Sequence, residues 1–512
     1  MPATTLGPAL IFIGRSVDPL NMQAIVEVYA ASAIWRTLGL TILQASVSAG
    51  VTLVASLPGA YAIGRLSFPG KRLLRSLLLV PFVLPSIVVV IALIGFYGRS
   101  GLIGSITGSA FVNLYGFAGI IIAHTFYNIS IPTRLVGEAW SRIPEEYREA
   151  ARAEGATGGQ YLRTITLPLL RNSMLGSFVL VFMLSFLSFG IVLVFGGIQF
   201  ATLEVRLYQA FASLDTRRAA LIAALQLLFS LGFILAAASR ANEASSGEIG
   251  VTRISRLRRS SVLLLIAYGS VAFLFLAGPL LALVVRGAAG LAEIVGPSGR
   301  IRSVVGVGLT RIAGTSLAIA LASGSLCFLT ALLLAQGSRS KAIVAAAQAP
   351  IGISFVTISI GLKWIAPPSV PAIAIIIFAE ALLSFPFVYR LLDTLVGDLD
   401  PVFAEVATTL GAGRTHIALN VYLPLLRRGL TGAFTFAVAI PFADFTGVLT
   451  LGRGRIVTFP VAIYRLLGFR NFDLALGVAT LYVGLVFLIL WTIDVGGETS
   501  LTRRPLPRRK RV

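Results

Sequence analysis

Three ionisable side chains stand inside otherwise apolar runs: His124, Glu380 in "IIIFAEALLSF" and Asp444 in "PFADF". An acid or base at such a position is costly and favours a functional reading, because hydrocarbon does not solvate it. The chemistry open to Glu380 and Asp444 is contact with a cationic substrate, or pairing with His124 or Lys363. A second set is aromatic. Phe182, Phe186 and Phe189 recur at i, i+4 and i+7, on one helix face, and Phe442 and Phe445 repeat two of them. Such rings form a hydrophobic gate, stack against an aromatic cation, or pack helices together. Little else in the chain can react. No G-x-x-x-x-G-K-[ST] phosphate loop is present, so this chain is not expected to hydrolyse ATP. With two histidines and one cysteine, Cys327, neither an internal disulfide nor a cysteine-based metal cluster is expected. Catalytic residues, bound metals and bound cofactors are all expected to be absent.

The elements that hold these residues are membrane helices. The 512 residues are 56% hydrophobic and only 12% charged, with mean hydropathy +0.90. A soluble domain carries about twice that charged fraction. Several apolar runs exceed the roughly 20 residues needed to cross a bilayer as a helix. The fold class is therefore an all-α polytopic membrane protein. Eleven spans are expected, near 38–62, 74–97, 115–136, 173–196, 217–238, 261–285, 312–336, 343–365, 371–393, 430–451 and 474–494. The net charge of +21 would suggest nucleic acid in a soluble protein. Here the basic residues cluster beside spans, at Arg65, Lys71, Arg72 and Arg75, between Arg240 and Arg259, at Arg339 and Lys341, and in the tail "TRRPLPRRKRV". All four clusters fall on one side of the alternating path, which makes that side cytoplasmic. An odd number of spans then puts the N-terminus outside. Residues 1–37 carry no cleavable signal pattern. The run 6–14 is too short to span, which leaves room for an additional upstream span.

One polar stretch interrupts the apolar pattern: "EAARAEGATGGQYLRTITLPLL", Glu149 to Leu170. Its acids sit early, where a helix dipole favours negative charge, and its alanines propagate a helix. Gly155 then breaks it, and Pro168 suits the first turn of the next helix. A second copy, "EVATTLGAGRTHIALNVYLPLL", runs from Glu405 to Leu426. Glu149 and Glu405, Gly155 and Gly411, and Pro168 and Pro424 are each 256 residues apart. The same offset pairs Arg134 with Arg390, Phe186 with Phe442, Phe189 with Phe445, Tyr208 with Tyr464, His124 with Glu380, and Ser188 with Asp444. The chain is a tandem duplication. Both polar copies lie on the cytoplasmic side, so the repeat is parallel rather than inverted. The expected organisation is an extracytoplasmic segment 1–37, a first repeat 38–238 with five spans, a basic cytoplasmic linker 239–260, a second repeat 261–494 with six spans, and a basic tail 495–512.

These residues resemble the signature of ABC importer permeases: E-A-A, three residues, G, nine residues, I, one residue, L-P. The first copy fits throughout, with Glu149, Ala150, Ala151, Gly155, Ile165, Leu167 and Pro168. The second keeps Glu405, Ala407, Gly411, Leu423 and Pro424, with Val406 and Val421 as departures. The resemblance implies two tandem permease domains of the type I importer fold in a prokaryotic inner or plasma membrane. It implies that the two loops are coupling helices docking two copies of a cytoplasmic ATPase, which binds the ATP and Mg. A periplasmic or lipid-anchored binding protein would deliver the substrate. Fused permeases of this length look most like those of thiamine and ferric-iron importers. "FYGRSGLIGS" and "LEVRLYQAFASLDTRRAALIAALQLL" look closer to the thiamine type, so thiamine or its phosphates are expected, with ferric iron as the alternative. A competing class, an ion-coupled secondary transporter, would rest on Glu380 and Asp444 alone and leave both loops unexplained.

Overall fold

The computed structural model describes residues 7–16, 29–68, 70–71, 74, 78, 84–108, 113–197, 199–241, 259–295, 300–335, 347, 352–397, 399–400 and 402–498. Most of the expected linker, Arg72, Arg75, Arg339, Lys341 and the tail from 499 lie outside them. The described residues form helices and connecting turns with no strand element. That is the only local structure besides a closed barrel that satisfies its own backbone in lipid. In chain order the helices are α1 (Gly7–Ser16), α2 (Ser32–Arg65), α3 (Ser86–Tyr97), α4 (Phe117–Asn128), α5 (Ser130–Arg142), α6 (Glu146–Ala153), α7 (Leu167–Phe186), α8 (Gly190–Phe195), α9 (Leu203–Ala212) and α10 (Thr216–Ala241). The second repeat contains α11 (Arg259–Val295), α12 (Leu309–Ala335), α13 (Phe355–Ile365), α14 (Ala372–Gly397), α15 (Val402–Thr409), α16 (Leu423–Ala443), α17 (Thr446–Gly452), α18 (Phe459–Gly468) and α19 (Phe472–Glu498).

Seven helices among the described residues are long and apolar enough to cross a membrane, or eight if one bent pair counts as a single span. Other expected spans are present in pieces. The span near 115–136 is α4 and α5, interrupted at Ile129. The spans near 173–196 and 430–451 break at equivalent places, Leu187–Phe189 and Asp444–Phe445. The span near 343–365 is described mainly as the short helix α13.

The chain folds into two compact units that cut across the sequence repeats. The first comprises Phe12–Arg300 and Ile463–Ala479; the second comprises the described parts of Met1–Ile11, Ile301–Ala462 and Thr480–Val512. Thus α11, which opens the second repeat, belongs to the unit of the first. It packs on α3 and α2, with Gly278 against the Phe96 ring and the Tyr268 hydroxyl donating to the Ala55 carbonyl at 3.0 Å. In the second unit the backbone at Pro8 lies against Gly361 of α13.

Each unit is built on the same three-helix core: α2, α5 and α7 in the first, and α12, α14 and α16 in the second. Small residues set the approach, as expected where apolar helices gain nothing from leaving lipid and must bind through close contact. A Cβ on Gly64 would stand 2.5 Å from the Gly137 carbonyl oxygen and 3.2 Å from Trp140 Cβ. Around this crossing Ala60, Val136, Trp140, Ile143 and Leu170 form a buried cluster. In the second unit Gly324 meets Val438, and Cys327, Ala331, Val388, Tyr389, Ala433 and Ala437 fill the core. Because backbone cannot yield as a side chain can, Gly64→Leu is expected to destabilise the protein by roughly 1–3 kcal/mol. Thermal unfolding in detergent, followed by tryptophan fluorescence, measures it; an unchanged midpoint would refute the crossing.

Candidate functional site

The two polar stretches fold alike, element by element. Helix α6 carries Glu146 and Glu149 in its first turn, and α15 carries Glu405. Both end on a left-handed glycine, Gly155 at φ +80° and Gly411 at φ +81°. At the first, Gly155 N–H donates to the Arg152 carbonyl at 3.0 Å and Ala156 N–H to the Ala151 carbonyl at 2.8 Å. At the second, Gly411 N–H donates to Thr408 at 2.9 Å and Ala412 N–H to Ala407 at 3.0 Å. This pair of reverse bonds satisfies helix-end carbonyls and needs positive φ, hence glycine. A single wide π turn follows, Leu162–Thr166 in one copy and Ala418–Tyr422 in the other. Each lies just before the proline, Pro168 or Pro424, at the start of the next span. Proline lacks an N–H and its ring displaces the carbonyl four residues back; widening the turn accommodates both. The glycine and the proline were legible in the sequence, whereas the π turn was not, because no residue type marks it.

The stretches present outward faces. Glu149, Ala150 and Gly155 are exposed and Ala151 is buried beneath them; Glu405 and Gly411 are exposed and Ala407 is half-buried. The first copy is anchored by Glu145, which lies 3.6 Å from Arg65 at the end of α2 and pairs with Arg148. It is also closed by a capping box in which Thr157 N–H donates to Gln160 Oε1 at 2.8 Å and Gln160 N–H donates to Thr157 Oγ1 at 3.3 Å. The second copy differs in surface chemistry. Val402, Phe403, Val406 and Leu410 are 54, 49, 54 and 82% exposed, where the first copy holds Glu146, Tyr147, Ala150 and Glu154.

Of the ionisable groups within spans, Glu380 and Asp444 come together in the second unit. Glu380 is fully buried on α14, beside Asp444 at the break between α16 and α17. Asp444 Oδ2 accepts the Gly447 N–H at 2.7 Å and so caps α17. A Cβ on Gly447 would stand 2.8 Å from Glu380 Oε1 and from the Phe355 ring, so the glycine makes room for the carboxyl. The side-chain hydrogen-bonding neighbour of Glu380 is the Asp444 carboxyl, and no second partner reaches either Glu380 oxygen among the described residues. No salt bridge joins Lys363 to Glu380. His124 lies in the first unit, buried, with Nδ1 3.0 Å from Ser48 Oγ.

The phenylalanines are buried within their own units. Phe182 stacks on Phe233 at 4.4 Å, Phe186 on Phe229 at 4.8 Å, and Phe189 meets Tyr208 edge-on at 5.2 Å. Phe442 lies 5.0 Å from Tyr482, and Phe445 is 2% exposed. This is the geometry of helix–helix packing.

Two polar loops of matching geometry, 256 residues apart in a helical membrane protein, are consistent with the doubled signature of importer permeases noted in the sequence. Comparison with known proteins places the chain further. Residues 56–245 match the family "Binding-protein-dependent transport system inner membrane component". The chain is 30% identical to the thiamine transport system permease protein of Brucella suis biovar 1 (strain 1330), over 96% of this chain and 92% of that one. It is 28% identical to the thiamine transport system permease protein of Escherichia coli (strain K12), over 91% and 90%. It is also 28% identical to a sulfate transport system permease protein of Synechococcus elongatus, over 38% of this chain and 73% of that one. The chain belongs to this family of binding-protein-dependent inner-membrane components, as an ABC importer permease with two fused halves.

Proposed function

We propose that the chain carries thiamine or its phosphates inward as the pore subunit of an ATP-driven importer, with an ATPase subunit docked at each polar loop. The observation that carries the docking is the repetition of one loop geometry 256 residues apart, down to the φ of the glycine and the position of the π turn. Lipid or solvent exposure alone gives no reason to keep two copies so alike. The substrate reading is supported by the similarity to thiamine permeases over nine-tenths of both chains. In this mechanism ATP closes the two ATPases and displaces both loops. The Glu145–Arg65 pair and the capping box make the first loop stiff enough to pass that displacement to α2 and α7. The permease alternates between two states, and the ATPase and a substrate-loaded binding protein each bias that equilibrium.

Uptake of radiolabelled thiamine into proteoliposomes holding the permease, its ATPase, its binding protein and internal MgATP tests the reading. ATP-dependent accumulation is expected. Accumulation driven by an ion gradient without ATP would overturn the importer mechanism, and ATP-dependent uptake of ferric iron instead would overturn the substrate.

The unlike surfaces of the loops carry a separate expectation. Leu410→Glu installs the residue that the first loop has at the matched position, Glu154. It places a charge where a leucine is 82% exposed on the outward face of the loop. A loss of ATPase affinity of about 5- to 150-fold is expected, on the order of 1–3 kcal/mol for an interface apolar contact replaced by a desolvated charge. Undiminished co-purification would remove Leu410 from the docking surface.

A further inference from the structure

The first unit holds a cavity of about 740 Å³, within the roughly 300–1,000 Å³ of small-ligand sites. Arg36, Arg206, Arg217 and Arg218 line it against one acid, Asp215. They arrive on three segments: the start of α2, α9 and the start of α10. Among the described residues no ion pair reaches any of the four. Arg206 Nη1 donates to the neutral Gln209 Oε1 at 3.4 Å, and Asp215 Oδ1 accepts the Arg218 backbone N–H at 3.1 Å. The same face carries Arg453, Arg455, Arg465 and Arg470 from the second repeat, so basic charge as such sets neither half apart. What distinguishes the four arginines is that they share one cavity.

Helix α2 fixes the depth of that cavity. Its last residue, Arg65, lies beside Glu145 of the first polar loop, on the cytoplasmic side. Trp35 lies 30 residues earlier, about 45 Å along a helix axis, which is the thickness of a bilayer with both headgroup layers. Trp35 is 51% exposed, and its Nε1 donates to the Tyr29 carbonyl at 2.6 Å. An exposed tryptophan with a satisfied N–H is the residue expected among headgroups. Arg36 is the next residue, so the arginines stand at the depth of the outer phosphates. Below them Gly39, Leu43 and Val54 continue the Arg36 face of α2 into the hydrocarbon. Gly39 has open space where a Cβ would stand, and Leu43 and Val54 are 54 and 67% exposed.

We infer that this cavity binds the phosphate headgroup of an acidic phospholipid in the outer leaflet. Guanidinium forks match phosphate oxygens in both geometry and charge, and one phosphodiester relieves the mutual repulsion of four like charges. The acyl chains of such a lipid lie along the exposed face of α2, which a soluble anion would leave unused. Ile34, Leu40 and Ile222 supply the apolar part of the lining, where the glycerol backbone sits between headgroup and chains. Because the arginines belong to different helices, a bound headgroup fastens the start of α2 to α9 and α10. A thiazolium cation is repelled by the same charges, so the cavity is unsuited to thiamine.

The test uses the purified full-length permease in detergent, stripped of native lipid and titrated with dioctanoyl phosphatidylglycerol while thermal unfolding is followed. The midpoint is expected to rise with phosphatidylglycerol and to stay in place with dioctanoyl phosphatidylcholine. For Arg217→Gln with Arg218→Gln, the half-saturating concentration of phosphatidylglycerol is expected to rise at least about tenfold. Lysine at both positions is expected to restore most of the affinity, which a folding defect would not allow. An unchanged half-saturation in the glutamine variant would overturn the proposal, as would equal protection by phosphatidylcholine. Protection by glycerol 3-phosphate or thiamine diphosphate at the concentration where the lipid acts would overturn it too, by assigning the cavity to a soluble phosphate. So would protection by the substrate-loaded binding protein that disappears in the glutamine variant while lipid protection persists, which assigns the arginines to a protein.

Discussion

With Gly155 and Gly411 both replaced by tryptophan, the permease is expected to fold, to lose its ATPase during purification, and to lose ATP-dependent uptake by at least about 100-fold, equivalent to roughly 3 kcal/mol of docking. The argument is geometric. Among the described residues, no atom beyond each glycine's immediate chain neighbours lies within 4 Å of where a Cβ would stand. A bulky side chain at either position therefore enters open space in the isolated permease and meets only a partner. The left-handed backbone at φ +80° and +81° adds a strain of about 1–2 kcal/mol per residue for any L side chain other than asparagine or aspartate. Asparagine at both positions separates the effects: it tolerates the backbone and adds little bulk, so it is expected to keep most uptake. If the tryptophan variant transported normally with ATPase bound, these loops would not be the docking elements.

Glu380→Gln is expected to reduce thiamine uptake by about tenfold or more, a cost of at least roughly 1.4 kcal/mol, while leaving the protein as stable as before or more so. A fully buried carboxyl whose side-chain partner is a second carboxyl is a net expense to the fold, and an amide of the same shape, able to donate to Asp444, removes that expense. The expected loss of transport follows if this carboxyl meets the cationic substrate proposed above, since an amide cannot balance a thiazolium charge. Asp444→Asn is expected to do less harm, because its oxygen accepts the Gly447 N–H and an amide oxygen can do the same. The measurement is initial uptake rate beside the thermal midpoint of each variant. A Glu380→Gln protein that gains stability and transports at the normal rate would make the acidic pair a structural relic rather than a substrate contact.

Much of this was legible in the sequence because it depends on chemistry that repeats. The apolar runs required helices, the offset of 256 residues exposed the duplication, and the glycine of each loop announced the turn it makes. The juxtaposition of Glu380 with Asp444 was not legible, and the sequence pointed to His124 or Lys363 as partners instead, since nothing in the spacing of two distant helices says which faces meet. The phenylalanines had a correct helical period, yet the period did not say whether their face would line a path or pack on Phe229 and Phe233. The break of the fourth and tenth spans near Ser188 and Asp444 was hidden because both sides of it are equally apolar.

By itself the sequence determined the class of element, the membrane setting, the repeat and the two loops, since each follows from local composition or from identity at a fixed spacing. Only the tertiary structure decided that α11 joins the unit of the first repeat, and that a carboxyl pair shares one site while His124 is held by Ser48. Those outcomes depend on which helix faces approach closely. In a membrane that is settled by small residues such as Gly64, Gly278 and Gly447 fitting one particular neighbour, a contact between distant positions that no local pattern encodes.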